Sequence, residues 1–177
     1  MSIVKILALS ATLAVFSAFT LSVPTSWSID EGYTILFETK KAEGSFETFS
    51  GNIVFDENDL TTASVDVQIL VSSIKTGNWL KNRHAKGSNW LDAKQYPTIV
   101  FTSQEFAKTS SGYEVTGTLS MHGVQKQLTM PFTFADNIFT TSFTVDRRDY
   151  NIGGTSGMAS SVGYELAIDI RVPVRNS

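Results

Sequence analysis

Cysteine is absent from the 177 residues. Its absence excludes disulfides, thiolate nucleophiles, cysteine-ligated zinc and acylation of a lipoprotein cysteine. Export permits disulfides without requiring them, and a chain of this length can bury enough apolar surface to stand without them. Histidine is nearly absent. Only His84 and His122 occur, in neither an H-x-x-x-H nor an H-E-x-x-H spacing, so neither a metal site nor a cofactor is implied. Charge is sparse too: charged residues make up 18%, the net charge is -3, and there is no long basic run to track a nucleic acid. A G-x-S-x-G elbow is missing, neither histidine has a triad context, and carboxylate pairs such as Asp56 and Asp59 fall in turn sequences. The run from Gly153 to Gly157 lacks the Lys-Ser/Thr and the following helix pattern of a phosphate loop, and reads as a plain loop. The chain reads as a non-enzyme.

What is present is aromatic and β-branched. Twelve Phe, five Tyr and three Trp stand among many Val, Ile and Thr, a strand-forming composition. Residues 1–22 differ from the rest. Lys5 is the only charge before Asp30, and the apolar run that follows it, rich in Ser and Thr and ending near Pro24, has the form of a secretory signal peptide. An uncleaved anchor is the competing reading, and both place residues 23–177 outside the cytoplasm, in the periplasm or secreted.

From there onward the period is two. Val65, Val67, Ile69 and Val71 alternate with Ser64, Asp66, Gln68 and Leu70. Tyr113, Val115, Gly117, Leu119 and Met121 alternate with polar residues, as do Val124, Leu128, Met130, Phe132 and Phe134, and then Tyr164, Leu166, Ile168, Ile170 and Val172. Further strands are expected over Thr34–Lys41, Ser45–Asp56, Thr98–Phe106 and Ile138–Arg147. That makes about eight, mostly joined by short turns rich in Gly, Asn and Asp. One apolar and one polar face is antiparallel behaviour, and short links imply an up-and-down meander. Such a sheet removes its edges by closing into a barrel, with a two-sheet sandwich as the alternative. Alternation stops from Gly77 to Tyr96. There Asn78 can cap a short helix ending at Gly87, and Ser88 a second turn, with Trp79, Trp90 and Leu91 packing the insert against the barrel.

The segments resemble, in order, the YceI-like family of lipid- and polyisoprenoid-binding proteins, over nearly the whole stretch from Trp27 to Arg175. Trp27-Ser28-Ile29-Asp30 is similar to the family's opening. Gly44-Ser45-Phe46 with Phe49-Ser50-Gly51-Asn52-Ile53-Val54-Phe55-Asp56 resembles its first long hairpin, and Ser73-Ile74-Lys75-Thr76-Gly77 the end of its third strand. His84, Trp90-Leu91-Asp92 and Tyr96-Pro97-Thr98-Ile99-Val100-Phe101 match its central block. Gly117 to Lys126, then Arg147, Asp149 and Tyr150, resemble its later motifs. Ala85 stands where the family usually has Leu, and Gly87 where it often has Ser, changes that would widen the mouth. The resemblance implies an exported lipocalin-like antiparallel barrel enclosing an apolar channel for a polyprenyl chain or a quinone-like isoprenoid.

A barrel of about eight strands either fills itself or holds one ligand. The slim residues Val65, Val67, Val71, Val115, Gly117 and Ala167, read as inward-facing, leave room. Phe37, Phe101, Phe132, Phe134, Met121 and Met130 offer an adaptable wall. The expected apolar lining is therefore Phe37, Val65, Val67, Ile69, Phe101, Val115, Leu119, Met121, Met130, Phe132, Leu166 and Ile168. At the mouth, Lys81, Arg83, His84 and Arg147 are the candidates for a lipid head group. Lys75, Lys81, Arg83, Lys86 and Lys94, against Asp92 alone, make a basic cluster suited to an anionic head or to peripheral contact with a membrane. A solvated helix face would look the same. An Arg–Asp pair among Arg147, Arg148 and Asp149 could instead close the barrel end. The expected function is a carrier that sequesters a long apolar lipid. The alternative is an envelope-stress or protein-interaction module with a filled interior, and whether the barrel forms a homodimer is left open.

Overall fold

A computed structural model describes residues 25–154 and 156–177, so the expected signal peptide lies outside the described residues. The strands are β1 (Ser26–Ile29), β2 (Thr34–Glu38), β3 (Glu43–Phe46), β4 (Phe49–Val54), β5 (Ser64–Leu70), β6 (Ile74–Lys75), β7 (Thr98–Thr109), β8 (Gly112–Met121), β9 (Val124–Ala135), β10 (Ile138–Asp146) and β11 (Glu165–Asn176). Two short helices interrupt them, α1 (Trp79–Ala85) and α2 (Gly157–Ser161).

These pieces make one closed, eight-stranded antiparallel barrel, because three of its walls are bent strands. The walls β1–β2, β3–β4 and β5–β6 each turn a corner, at residues 30–33, 47–48 and 71–73. Closure falls to β11, which pairs with β10 on one side. On the other side its first half meets β2, with Ile168 opposite Phe37, and its last residues meet β1, with Asn176 opposite Trp27. Each wall follows the last in sequence, the meander expected from the short links. Asp136 and Asn137 (φ 52° and 59°), and His122 and Gly123 (φ 52° and 76°), supply the paired left-handed residues of two-residue hairpin turns.

The ring has one weak seam. β9 and β10 pair only from Ala135–Ile138 to Phe134–Phe139 and Thr133–Thr140. In this register the next hydrogen-bonded pair would join Pro131 to Ser142, and proline has no N–H to donate. The Pro131 carbonyl is taken instead by the Thr141 hydroxyl at 2.6 Å. Beyond that point the wall is bridged near its far end by Lys126 to Asp149, 2.6 Å, and by the His122 ring to the Tyr150 carbonyl, 3.0 Å.

The two barrel ends differ. At the end carrying the β7–β8 and β9–β10 turns, Phe55 is buried and ringed by Phe106, Tyr113, Phe132, Phe134 and Phe139, with centroid separations of 5.1 to 6.4 Å and mostly edge-to-face. The Trp27 indole donates to the Phe55 carbonyl at 2.9 Å, tying β1 to this plug. The opposite end is covered by α1 and by the link between β10 and β11.

Several local expectations are corrected. The Ser45–Asp56 strand is two strands broken at Glu47–Thr48, and β1 and β6 were not anticipated. Arg147 begins a 3₁₀ turn (Arg147–Tyr150) rather than ending a strand. Asn78 caps α1 as expected, accepting from the Leu80 and Lys81 amides, but Gly87 is not a left-handed cap, and Ser88 to Leu91 form turns rather than a second helix. Trp79 does not pack on the barrel and is 72% exposed, whereas Trp90 and Leu91 do pack there. Ala167 faces outward and is exposed, because its strand turns Leu166 and Ile168 inward. The run from Gly153 to Gly157, read as a loop with no helix following, is non-helical at its described residues up to Ser156, but Gly157 opens the single helical turn of α2.

Candidate binding cavity

Above the aromatic plug the lumen is not filled. It holds about 1250 Å³ of unoccupied space, a figure that includes the open end and the solvent in it. All the apolar positions expected from alternation line it, from Phe37 on β2 to Leu166 and Ile168 on β11. Phe134 does not; it belongs to the plug, against Trp27 and Phe55. Val71 is buried in the 3₁₀ turn after β5 and does not border the space. The wall also takes in Leu128, which alternation places on the face of Met130 and Phe132, and Ile35, Phe49, Ile53, Phe143 and Val145, which it does not single out. The lining is hydrocarbon and aromatic except for Thr140 and Thr141 beside the seam.

Two glycines explain how large aromatic residues can line the lumen without blocking it. A Cβ on Gly117 would lie 2.6 Å from the Phe101 ring, and one on Gly44 would lie 2.7 Å from the Phe37 ring. Each ring thus lies flat over a bare glycine on the neighbouring strand, along the wall rather than across the barrel.

A second chamber, about 970 Å³ with its opening, sits beneath the insert and shares Phe37 and Leu166 with the first. The two are therefore neighbours that meet at Phe37 and Leu166. This mouth chamber is apolar at its base (Ile74, Ala85, Leu91, Ile152, Val162) and carries Thr39, Lys41, Thr76, Lys81, His84 and Arg147 at its rim. Ala85 and Trp90 border it directly, so the small residue at 85 does leave space there. Asn82 fixes the insert by accepting from the Thr76 amide at 2.7 Å and the Thr76 hydroxyl at 2.8 Å.

Of the four expected head-group residues, Lys81 and His84 reach this chamber with exposed side chains. Arg83 does not line it and points outward. Arg147 borders it but is 1% exposed and fully engaged in another task. Its guanidinium donates to the carbonyls of Gly163 (2.7 Å), Ile152 (2.6 Å), Gly154 (3.1 Å) and Ala159 (2.9 Å), and lies near the faces of Trp90 and Tyr164. It pairs with no carboxylate. The ion pair at this end is Arg148 with Asp146, and Asp149 goes to Lys126. The Arg148 hydrogen bond holds the Asp146 carboxyl below its ordinary value. Arg147 thus pins the β10–β11 link that roofs the chamber, which its place after a strand gave no reason to expect.

His122, in the β8–β9 turn, is half-buried against Tyr96, with ring centroids 4.6 Å apart. Asp56 and Asp59 do serve their turns, accepting from the Asn58 and Thr61 amides. Among the described residues, no group of three or more His, Asp or Glu side chains is placed to hold a metal.

A model of the YceI-like domain matches residues 24–174. A UPF0312 protein of Yersinia enterocolitica is 30% identical over 139 residues, covering 73% of this chain and 69% of that protein. One from Pectobacterium atrosepticum is 29% identical over 149 residues, covering 78% and 74%. Among solved structures, BcnA of Burkholderia cenocepacia superposes with a TM-score of 0.76 at 27% identity, over 84% of this chain and 99% of its own. A polyisoprenoid binding domain from Saccharophagus degradans, implicated in plant cell wall breakdown, has a TM-score of 0.58 at 15% identity, over 87% and 96%, a likeness of fold.

Proposed function

The chain belongs to the YceI-like family, and from that premise we propose that it is an exported carrier holding one long apolar lipid, of isoprenoid type, in its barrel. The observation that carries this reading is the unfilled apolar lumen above the aromatic plug, adjoined by the chamber beneath the insert and walled by side chains that glycines let lie flat. Each CH₂ moved from water into such a lumen is favourable by about 0.8 kcal/mol, so a prenyl tail binds through desolvation and needs few specific contacts. The blind plugged end suits the tail terminus. A polar head remains at the rim, where Lys81, His84 and Lys41 supply donors for a phosphate or a quinone oxygen. The same fold carries a polyisoprenoid binding domain in Saccharophagus degradans, which supports the choice of tail. The work is binding rather than bond-making, and the leader-like residues 1–22 support delivery to the periplasm or beyond. A module with a filled interior, the alternative reading, would need a solid lumen, which the unfilled space opposes.

The test is direct. The full chain is expressed in a bacterium, purified without detergent, and extracted with organic solvent for lipid mass spectrometry. A prenyl lipid recovered at near one per barrel is expected. Repeated recovery of an empty protein that also fails to take up added prenyl lipid would overturn the reading.

A further inference from the structure

Helix α1 presents a face that the barrel does not use. At about 100° per residue, Asn82 and Ala85 turn toward the barrel, and Ala85, Lys81 and His84 border the mouth chamber. The face turned away carries Trp79, Leu80 and Arg83. Trp79 is 72% exposed and Leu80 44%, adjacent large apolar side chains held out in water at the start of the helix. Their position is fixed rather than frayed, since the Asn78 carboxamide oxygen accepts from the Leu80 amide at 2.9 Å and the Asn82 side chain ties the helix to Thr76.

An exposed Trp costs free energy unless something covers it, and the surrounding charge identifies what. Lys81 and Arg83 lie on the same short helix, Lys86 is its C-cap and Lys94 follows, against Asp92 alone, so the exposed apolar pair belongs to a locally basic stretch of a protein of net charge -3. An indole at its polar–apolar boundary beside Lys and Arg is the composition that partitions into the interface of an anionic bilayer. Lys81 and His84, on the flank of this helix, line the mouth chamber with exposed side chains.

We propose that α1 is a membrane-docking element: Trp79 and Leu80 enter the headgroup layer of an anionic bilayer, the basic side chains of the insert are drawn to the surface, and the mouth is thereby set against the membrane that supplies or receives the lipid. The proposal rests on the carrier reading for its purpose but not for its test.

The chain from Thr25 onward, which retains every strand and both helices of the closed barrel, is mixed with vesicles of phosphatidylcholine alone or of phosphatidylcholine with phosphatidylglycerol. Binding is read by co-sedimentation and by tryptophan emission. Trp27 and Trp90 are packed in the protein, so a blue shift on binding reports Trp79. Binding at least about tenfold tighter to the anionic vesicles, weakened by salt, is expected. Trp79→Ser with Leu80→Ser should lower partitioning about tenfold or more without moving the unfolding midpoint, since both side chains are exposed. Lys81→Gln with Arg83→Gln should remove the preference for anionic lipid. Equal binding to both vesicles, no binding, or undiminished binding by the Trp79–Leu80 variant would each overturn the proposal; the last two would leave the face to a protein partner. An empty lumen in every preparation would sink the carrier reading alone and leave the vesicle result standing.

Discussion

Replacing Arg147 by Met removes the cation that binds the β10–β11 link while keeping a similar apolar stem. Four backbone carbonyls lose a charged donor, the one on Ile152 in a buried setting and the other three in partly buried ones. A hydrogen bond from a charged group contributes about 1.5–3 kcal/mol, so simple addition would overshoot. Relief from burying the guanidinium offsets part of the loss, and water reaches the outer carbonyls once the link loosens. A net destabilisation of about 3–4 kcal/mol follows, near what breaking a buried charge network costs. For a domain of this size each kcal/mol lowers the unfolding midpoint by about 2–4 °C, so urea and thermal unfolding followed by circular dichroism should show a fall of roughly 10 °C. Arg147→Lys keeps the charge but not the planar fork, and should lose about half as much. Limited proteolysis should cut both variants first within residues 150–163. If Arg147→Met unfolds within about 1 kcal/mol of the parent, with no new cleavage there, the guanidinium is not what pins the roof, and a ligand role for it returns.

Phe55→Ala should cost about 3–5 kcal/mol, because the cavity opens inside a ring of aromatics that cannot collapse, and denaturant unfolding measures it. Gly117→Val sets a Cβ against the Thr102 carbonyl (2.4 Å) as well as the Phe101 ring (2.6 Å), so the β7–β8 ladder shifts and the ring leaves the wall; lipid recovered by mass spectrometry should fall severalfold and the unfolding midpoint should drop as well. Pro131→Thr restores a donor on the β10 side, and hydrogen exchange should show the seam amides of β9 and β10 newly protected. On the acid side, the carboxyl of Asp146 is depressed by its hydrogen bond to Arg148, so the stability it contributes is present above about pH 4 and lost as pH falls through the depressed value. Asp146→Asn should flatten that part of the profile, by less than about 1 kcal/mol because the pair is half exposed. On the alkaline side, burial and then the hydrogen bond to Glu57 raise the Tyr113 phenol. Its contribution is whole below pH 10 and is lost as pH rises through the raised value, so Tyr113→Phe should remove that part of the alkaline loss.

The wall was legible because a strand of period two leaves its inward set no freedom once the sheet closes. Val65, Val67 and Ile69, or Leu166 and Ile168, could only have missed the lumen by a slip of one residue. Corners were not legible. Nothing local at Glu47–Thr48 or at Val71–Ser73 distinguishes a bent wall from a straight one, because those bends exist to let β3 and β6 pair with each other while β4 and β5 pair lower down. Arg147 shows a second limit. Its sequence neighbour Asp149 suggested an ion pair, but its partners are carbonyls 5 to 16 residues away, brought in by a link with no periodicity to read. Trp79 shows a third, since a tryptophan in a short helix is ordinarily core, and only the placement of Asn82 turns this one outward.

The barrel divides its two tasks along its length. Stability is concentrated where Phe55, Phe132, Phe134 and Phe139 interlock and where Trp27 joins β1 to the plug, each buried ring contributing about 1.5–3 kcal/mol. The other half gives up that contribution, since rings lying flat over Gly44 and Gly117 leave contacts unmade across the lumen. A lipid chain supplies those missing contacts, so whatever fills the lumen stabilises the fold by mass action, and by more as its concentration exceeds its dissociation constant. Emptying it reverses the gain. Toward the opening, the Arg147-pinned link is held without ladder bonds, and β9 and β10 run unpaired beyond the three rungs beside their turn, so on the carrier reading these are the elements that would yield as cargo passes.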